Sequence, residues 1–422
     1  MTREFQQMLQ LAAMGATGHS IDVDCTDIDW NKVIKIAKVQ RVDSYLAYAL
    51  KNNKGLPCPA EIRDPLIRKT RSLAFSNAMN RSAVIQLLGE MEKAGIHAVL
   101  LKGYAIADCY ALPECRMSSD ADIWIDPKDE ERACEFMKQQ GFSVEPRWKN
   151  GHHAVCHHPS LGYVELHVIL YDEIVEEVWF GKMDGAEFVI EPHRLVESED
   201  GKYYTLGMTD HFIFLALHMI KHFIISGLTA QMMMDVALYF KKHKEEIDVD
   251  RFWNTITGLH YHKLFNSILW AMIRYCGFSK EDLLGICAEA PAQVDVLLSD
   301  LEEGGWMGFS DKAAREEGWH EYNRQMLLKD KSQVQYVFYM VRWKWAQYMT
   351  ALFPKKDDLA KRYPYIRKYP WLIPVAWLHR LIFRGIGSIR KGALTSQMVT
   401  DASQINENAQ KRVDLFRDLS MM

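Results

Sequence analysis

SSDADIWID, residues 118–126, sets two aspartates, Asp120 and Asp122, into a β-like run. Successive side chains on a strand alternate between its faces, so both carboxylates project together while Ala121 and Ile123 point the other way. Two parallel carboxylates suit a hard ion such as Mg²⁺, which completes its octahedron with phosphate oxygens and water. A D-x-D pair by itself more often marks a charged strand end facing water. A second carboxylate strand downstream, YVELHVIL (163–170), shifts that balance. There Glu165 and His167 share one face, and Val164, Leu166 and Val168 share an apolar one. With Glu165 as third carboxylate, adjacent strands offer what a two-metal centre for in-line phosphoryl displacement needs, and Glu165 also has the chemistry to take an acceptor's proton.

Further short β-like runs, HAVLL (97–101), DIWI (122–125) and HAVC (153–156), accompany YVELHVIL, with a helical DEERACEFMKQQG among them. This pattern predicts a small α/β core. Ahead of it, DWNKVIKIAKVQRVDSYLAYAL and RSLAFSNAMNRSAVIQLLGEMEKAG space their apolar residues three to four apart and stop at Gly95, which predicts N-terminal helices. From Thr209 helical periodicity returns and runs to the end, interrupted by the Gly-rich, charged EEGGWMGFSDKAAREEG (302–318), read as a loop. The expected organisation is an α+β chain, with a helical region over 1–90, a mixed-sheet core over 91–200 and a mostly helical domain over 201–422.

Composition narrows the class. A length of 422 residues accommodates two to three domains, and 48% hydrophobic with 25% charged residues excludes a disordered or collagen-like chain. A net charge of −4 provides no global field for nucleic acid. The eight cysteines are scattered without a C-x-x-C pair, which points to a reducing, cytoplasmic setting. MTREFQQMLQLAAMG breaks its apolar stretch with glutamines and reads as an amphipathic helix rather than a signal peptide. The most apolar stretches, 211–228 and 371–383, are interrupted by His, Lys, Pro or Arg, so no integral membrane span is expected.

Upstream of the aspartates, AVLLKGYAIADCY puts Lys102 and Gly103 at a strand-to-helix junction. Glycine there permits close backbone approach, and a helix N-terminus attracts phosphate; an ordinary helix start is the alternative. The ordered set LLKGYAIADCY, Arg116, DADIWID and YVELH resembles the bacterial uncharacterised nucleotidyltransferases of the DNA-polymerase-β-like superfamily. DIDWNKVIKIAKVQRVDSYLAYAL, LALHMIKHF and MMMDVALYF extend the likeness from about residue 27 to about residue 395.

The resemblance implies a nucleotidyltransferase core and a Mg²⁺-dependent enzyme that moves a nucleoside monophosphate from a nucleoside triphosphate to an acceptor hydroxyl, releasing pyrophosphate. It implies Asp120, Asp122 and Glu165 as metal-binding and catalytic carboxylates, and Gly103 beside the triphosphate. Lys102 and Arg116 would neutralise phosphate charge. The acceptor is left open among a small molecule, a protein and RNA. The superfamily's usual Gly-Ser phosphate motif is here Lys102-Gly103-Tyr104 without the serine. That departure supports an alternative, a degenerate fold acting as a nucleotide-binding or interaction module.

His211, His218 and His222 fall on one stripe of the helix that starts near Asp210, with Leu215 between them. They either face the cleft and position acceptor or phosphate with Asp235 as orienter, or are core histidines bonded to backbone or Asp235, which is the commoner case. The resemblance includes His218, His222 and Asp235. His167, beside Glu165, is placed to orient it, as histidines behind a metal ligand do. In GHHAVCHHP, His152, His153, His157, His158 and Cys156 alternate between strand faces, which argues against zinc, and His153 and His157 flank the nucleotide or face solvent. Residues 355–391 carry ten basic side chains against two acidic ones, with interleaved aromatics. A peripheral membrane or RNA contact is one reading, and a basic packing face of the C-terminal helices is the favoured other.

Overall fold

The computed structural model describes residues 1–147, 153–170, 189–225, 227–283, 292–304, 363, 365–377, 379, 414–419 and 421. Helix α1 (Arg3–Thr17) starts where the Thr2 hydroxyl accepts the Phe5 amide and buries Phe5, Met8, Leu9 and Leu11. Such a cap satisfies a donor the helix itself cannot. Asp29 caps α2 (Trp30–Val39) in the same way, through the Lys32 amide. Helices α3 (Asp43–Asn52) and α4 (Ala60–Lys93) follow, the latter 34 residues long and closed by Gly95 at φ 74°.

The chain then enters a seven-stranded sheet. Its strands are β1 (Ala98–Leu100), β2 (Asp120–Ile125), β3 (Ser143–Glu145), β4 (His153–His158), β5 (Gly162–His167), β6 (Arg194–Ser198) and β7 (Gly201–Thr205). Spatial order is β3-β4-β5-β2-β1-β7-β6. Pairs β2–β5 and β1–β7 are parallel and the other four antiparallel, so the sheet is mixed. The architecture is α+β. Strands β3, β6 and β7 are additional to the expected runs, and β7 carries the sheet past residue 200.

One sheet face forms the core. Ala98, Leu100, Ala121, Ile123, Ile125, Ala154, Cys156, Val164 and Leu166 pack there against Val84, Ile85, Leu88 and Met91 of α4 and against Ala133 and Met137 of α5 (Glu130–Gln139). Burying such a set supplies the main favourable free energy, about 25 cal/mol per Å² of apolar surface. The opposite face holds the carboxylates. Across from them run α6 (Met208–Ile225) and α7 (Ala230–His243), followed by α8 (Val249–Gly258), α9 (His262–Cys276) and α10 (Val294–Gly304). Glu302 to Gly304 belong to α10, and the remainder of the expected 302–318 loop lies outside the described residues.

The chain divides into two compact units, residues 1–315 with 415–422, and residues 316–414. In the second, the described residues form a short helix α11 (Tyr365–Lys368) and a turn over Pro370–Leu372, with Tyr363, Ile366 and Ala376 clustered and Trp371 exposed. Most of the basic 355–391 stretch lies outside the described residues. Among the described residues no helix is long and apolar enough to cross a membrane, and the seven described cysteines are free thiols.

His211 fastens α6 to the sheet. Its Nε2–H donates to the Leu101 carbonyl at 2.6 Å, and Nδ1 lies 3.0 Å from the Thr205 hydroxyl oxygen. Burial pushes its pKa down to about 3, so the folded chain refuses a proton that the unfolded chain binds below about pH 6.5. Acid therefore favours unfolding: this contribution is complete above pH 6.5 and is lost progressively as pH falls toward 3. We expect His211→Gln, which keeps a donor without titrating, to flatten the acid limb of stability measured by urea unfolding. His211→Leu should cost about 1–3 kcal/mol at neutral pH by stranding the Leu101 carbonyl.

Candidate active site

Strands β2 and β5 run parallel with Asp120 opposite Tyr163, Asp122 opposite Glu165 and Trp124 opposite His167. Period two then puts Asp120, Asp122, Glu165 and His167 on one face, because the alternate residues Ala121, Ile123, Val164 and Leu166 are claimed by the core. One carboxylate oxygen from each of Asp120, Asp122 and Glu165 lies within 4.8 Å of the others. All three open onto a cavity of about 270 Å³, which Lys102, Gly103, Arg116, His167, His218, His222 and Asp235 also line. The expected site residues are thus brought together at one place.

Their environments differ. Asp122 is 1% exposed, and its Oδ1 meets Lys102 Nζ at 3.1 Å and His167 Nε2 at 3.0 Å. Burial would raise its pKa, but the Lys102 charge and the His167 hydrogen bond outweigh that and hold it below the usual carboxylate range. Asp120 moves the other way, raised by burial and by the Asp122 charge. Glu165 is lowered: burial opposes ionisation, and the hydrogen bond from His167, 3.4 Å away, more than offsets it. His167 itself is raised despite its burial, because it bonds to Asp122 and Glu165 together. It joins the two carboxylates, as its position beside Glu165 predicts.

The donors fit a hard cation. They are oxygens from three carboxylates, and Asp122 Oδ2 is buried with no hydrogen-bond partner among the described residues. An orphaned carboxylate oxygen inside a protein is costly unless a ligand meets it. A second group, His153 with Glu165 and His167, also has ligand atoms within 4.8 Å. Cys156 is not part of it: its thiol is buried in the core, while the His157 and His158 rings pack on Tyr163 and Phe142. His152 lies outside the described residues.

Lys102 and Gly103 sit at the expected strand-to-helix junction, where β1 gives way to a 3₁₀ helix over Gly103–Cys109. The Lys102 side chain enters the carboxylate cluster and also reaches His218 Nε2 at 3.3 Å. Gly103 adopts φ 64°, and a Cβ there would stand 2.6 Å from Ser118 Oγ, so a side chain at position 103 would strain the backbone and displace the Ser118 hydroxyl. The hydroxyl beside this glycine thus comes from Ser118, just ahead of β2, rather than from residue 104.

The histidine stripe divides. His211 is a core residue, bonded as described above. His218 and His222 meet edge-to-face, with ring centroids 4.6 Å apart, and line the cavity. Burial first and the Lys102 charge second lower both, His222 to about 3, so both rings are neutral. Asp235 meets Arg116 instead of the histidines, through Nε to Oδ1 at 3.0 Å and Nη2 to Oδ2 at 2.6 Å. The Tyr110 hydroxyl adds a third bond to Asp235 at 2.5 Å, and Arg116 Nη1 donates to Ser118 Oγ at 2.8 Å. The Arg116 guanidinium is therefore engaged by protein groups at the cavity wall. Arg41, Lys221 and Gln231 line the cavity as well. Lys221 and Gln231 come from α6 and α7, and Arg41 from the turn between α2 and α3; the sequence reading singled out none of them.

A mixed sheet with three carboxylates on neighbouring strands, a glycine turn at the end of the adjoining strand and a cation-lined cavity above defines the nucleotidyltransferase class of fold. The family model for an uncharacterised nucleotidyltransferase matches residues 26–276, more than half of the chain, and the chain belongs to that family. No curated protein matches it significantly. A solved structure, that of the antibiotic-resistance factor ANT(2'')-Ia, is similar at 11% identity over 44% of this chain and 97% of its own, with a TM-score of 0.30. A likeness of that size carries no argument about this chain.

The buried Arg116–Asp235 pair generates a prediction. Arg116→Met leaves an uncompensated buried carboxylate and is expected to cost about 3–5 kcal/mol, whereas Arg116→Met/Asp235→Leu recovers part of that loss. A double-mutant cycle by chemical unfolding checks it; additive single effects would contradict the pairing.

Proposed function

We propose that this chain is a Mg²⁺-dependent nucleotidyltransferase: an acceptor hydroxyl attacks the α-phosphorus of a nucleoside triphosphate, the bond to the β-phosphate breaks, and pyrophosphate leaves. The observation that carries this reading is the β2–β5 register, which gathers Asp120, Asp122 and Glu165 at the floor of one cavity. These three carboxylates would hold Mg²⁺, with Asp122 Oδ2 the donor in want of a partner. When bound, the ion supplies Lewis-acid polarisation and neutralises charge that develops on the transferred phosphoryl group.

The remaining work falls to side chains. Gly103 lets the backbone approach the phosphates, and Lys102 adds positive charge at the cluster. Glu165, ionised and oriented by His167, accepts the acceptor's proton as the new phosphorus–oxygen bond forms. Neutral His218 and His222 offer hydrogen bonds to the acceptor from the facing helix. Positioning and electrostatics supply the rate, as for phosphoryl transfer generally.

One observation favours a second reading, a nucleotide-binding module without turnover. The Lys102 ammonium already pairs with Asp122 Oδ1, and such a contact satisfies that oxygen without a metal.

The deciding experiment is label transfer from α-labelled nucleoside triphosphates to host-extract fractions with Mg²⁺. Wild type is expected to label an acceptor, and Asp120→Asn or Asp122→Asn to reduce transfer by about 10²-fold or more, as loss of a transition-state charge partner does. Chelation of Mg²⁺ should abolish it. Full Mg²⁺-dependent transfer by Asp120→Asn would overturn the reading. Nucleotide binding without transfer by wild type would favour the module.

A further inference from the structure

The segment that leads into β2 has four successive carbonyls, those of residues 114 to 117, each held by a side chain. Asn77 Nδ2 of α4 donates to the Glu114 and Arg116 carbonyls, both at 3.0 Å, and the Ser44 hydroxyl of α3 donates to the Cys115 carbonyl at 2.6 Å. The Met117 carbonyl accepts from Arg116 Nη1 at 3.2 Å and from Gln231 Nε2 of α7 at 3.4 Å. A connection pinned from three helices and by its own arginine is a rigid support for the side chain that follows it.

That side chain is Ser118, half-buried and on the cavity wall with Gly103, Asp120 and Asp122. Its Oγ accepts from Arg116 Nη1 at 2.8 Å, and the Arg116 plane is itself fixed by the two bonds from Nε and Nη2 to Asp235. A guanidinium has five donors and no acceptor, so the serine cannot send its own proton back along that bond. Among the described residues the hydroxyl makes no other hydrogen bond. The loop does not require it, because Arg116 Nη1 also serves the Met117 carbonyl. Gly103 supplies the space: a Cβ there would stand 2.6 Å from Ser118 Oγ, so hydroxyl and glycine backbone share one spot on the wall. The O–H proton, turned away from Arg116 at that spot, is a donor offered to an acceptor in the cavity.

Resting on the nucleotidyl-transfer reading, we infer that Ser118 is a substrate-binding residue whose hydroxyl, oriented by the Arg116–Asp235 pair, donates to a non-bridging oxygen of the nucleotide's phosphate chain as that chain passes Gly103. The acceptor is anionic, which makes the bond charge-assisted.

Ser118→Ala removes the donor and Ser118→Thr keeps one. Equilibrium dialysis of ATP, GTP, CTP and UTP in Mg²⁺ first identifies the nucleotide that wild type prefers. Its analogues with sulfur replacing one non-bridging oxygen at the α-, β- or γ-phosphate are then measured on all three proteins, sulfur being a weak acceptor. We expect Ser118→Ala to raise Kd about 10-fold or more and Ser118→Thr to stay within about threefold of wild type, as loss or retention of one bond to a charged group predicts. One sulfur position should weaken binding to wild type and cost Ser118→Ala nothing further, the non-additivity that marks a direct contact. A hydroxyl that merely steadies the loop would instead give additive losses at every sulfur position, and that result would overturn this inference alone, as would unaltered nucleotide binding by Ser118→Ala. Failure of the wild type to bind any nucleotide would overturn the nucleotidyl-transfer reading and this inference with it.

Discussion

Everything at the site depends on one strand register, the parallel pairing that puts Asp122 opposite Glu165. Two carboxylates set side by side repel, and with Asp120 on the same face the cost rises further. A one-residue slip of β5 would relieve that repulsion but would turn Val164 and Leu166 out of the core. Apolar burial behind the sheet thus fixes the register, and the register forces the carboxylates together. Lys102 and His167 moderate the resulting charge, each within 3.1 Å of Asp122 Oδ1.

The same logic sets the rest of the scaffold. Helices α4 and α5 cover the apolar face, which leaves the polar face to α6 and α7. His211 ties the start of α6 to the carbonyl of Leu101, the residue just before Lys102. The strand end that delivers the lysine and the helix that delivers His218 are therefore held to one another, and the Lys102–His218 contact at 3.3 Å follows from that anchor. Asp235 on α7 is joined through Arg116 to the segment entering β2. Cavity wall and cavity floor are in this way tied by buried polar contacts, which reward a specific arrangement more than apolar packing does.

How much of this the sequence disclosed depends on the range of the interaction concerned. Alternation within DADIWID and YVELH is local, so the strands and the shared faces of Asp120, Asp122, Glu165 and His167 were legible. Edge strands were not: β3 has three residues, and β6 and β7 carry polar side chains whose pairing is set by neighbours distant in the chain. The histidine stripe shows the limit within a single helix. Residues seven apart share a face yet lie about 10 Å apart along the axis, so His211 meets the sheet end and His218 meets the cavity. Asp235 looked like an orienter for those histidines because helical periodicity contains no information about an arginine more than a hundred positions away.

The Lys102–Asp122 pair invites the view that the lysine replaces a metal, but the geometry divides the carboxylate between them. Lysine and His167 both address Oδ1, while Oδ2 is buried without a hydrogen-bond partner among the described residues. Three carboxylates with one ammonium leave a net negative charge even when His167 is protonated, in a cavity whose other nearby histidines are neutral. On the proposed reading a divalent ion would use Oδ2 without displacing the lysine, while Arg41 and Lys221 line the same cavity. On the proposed reading the lysine would keep Asp122 ionised and fixed for an incoming ion, which is the preorganisation an electrostatic mechanism depends on.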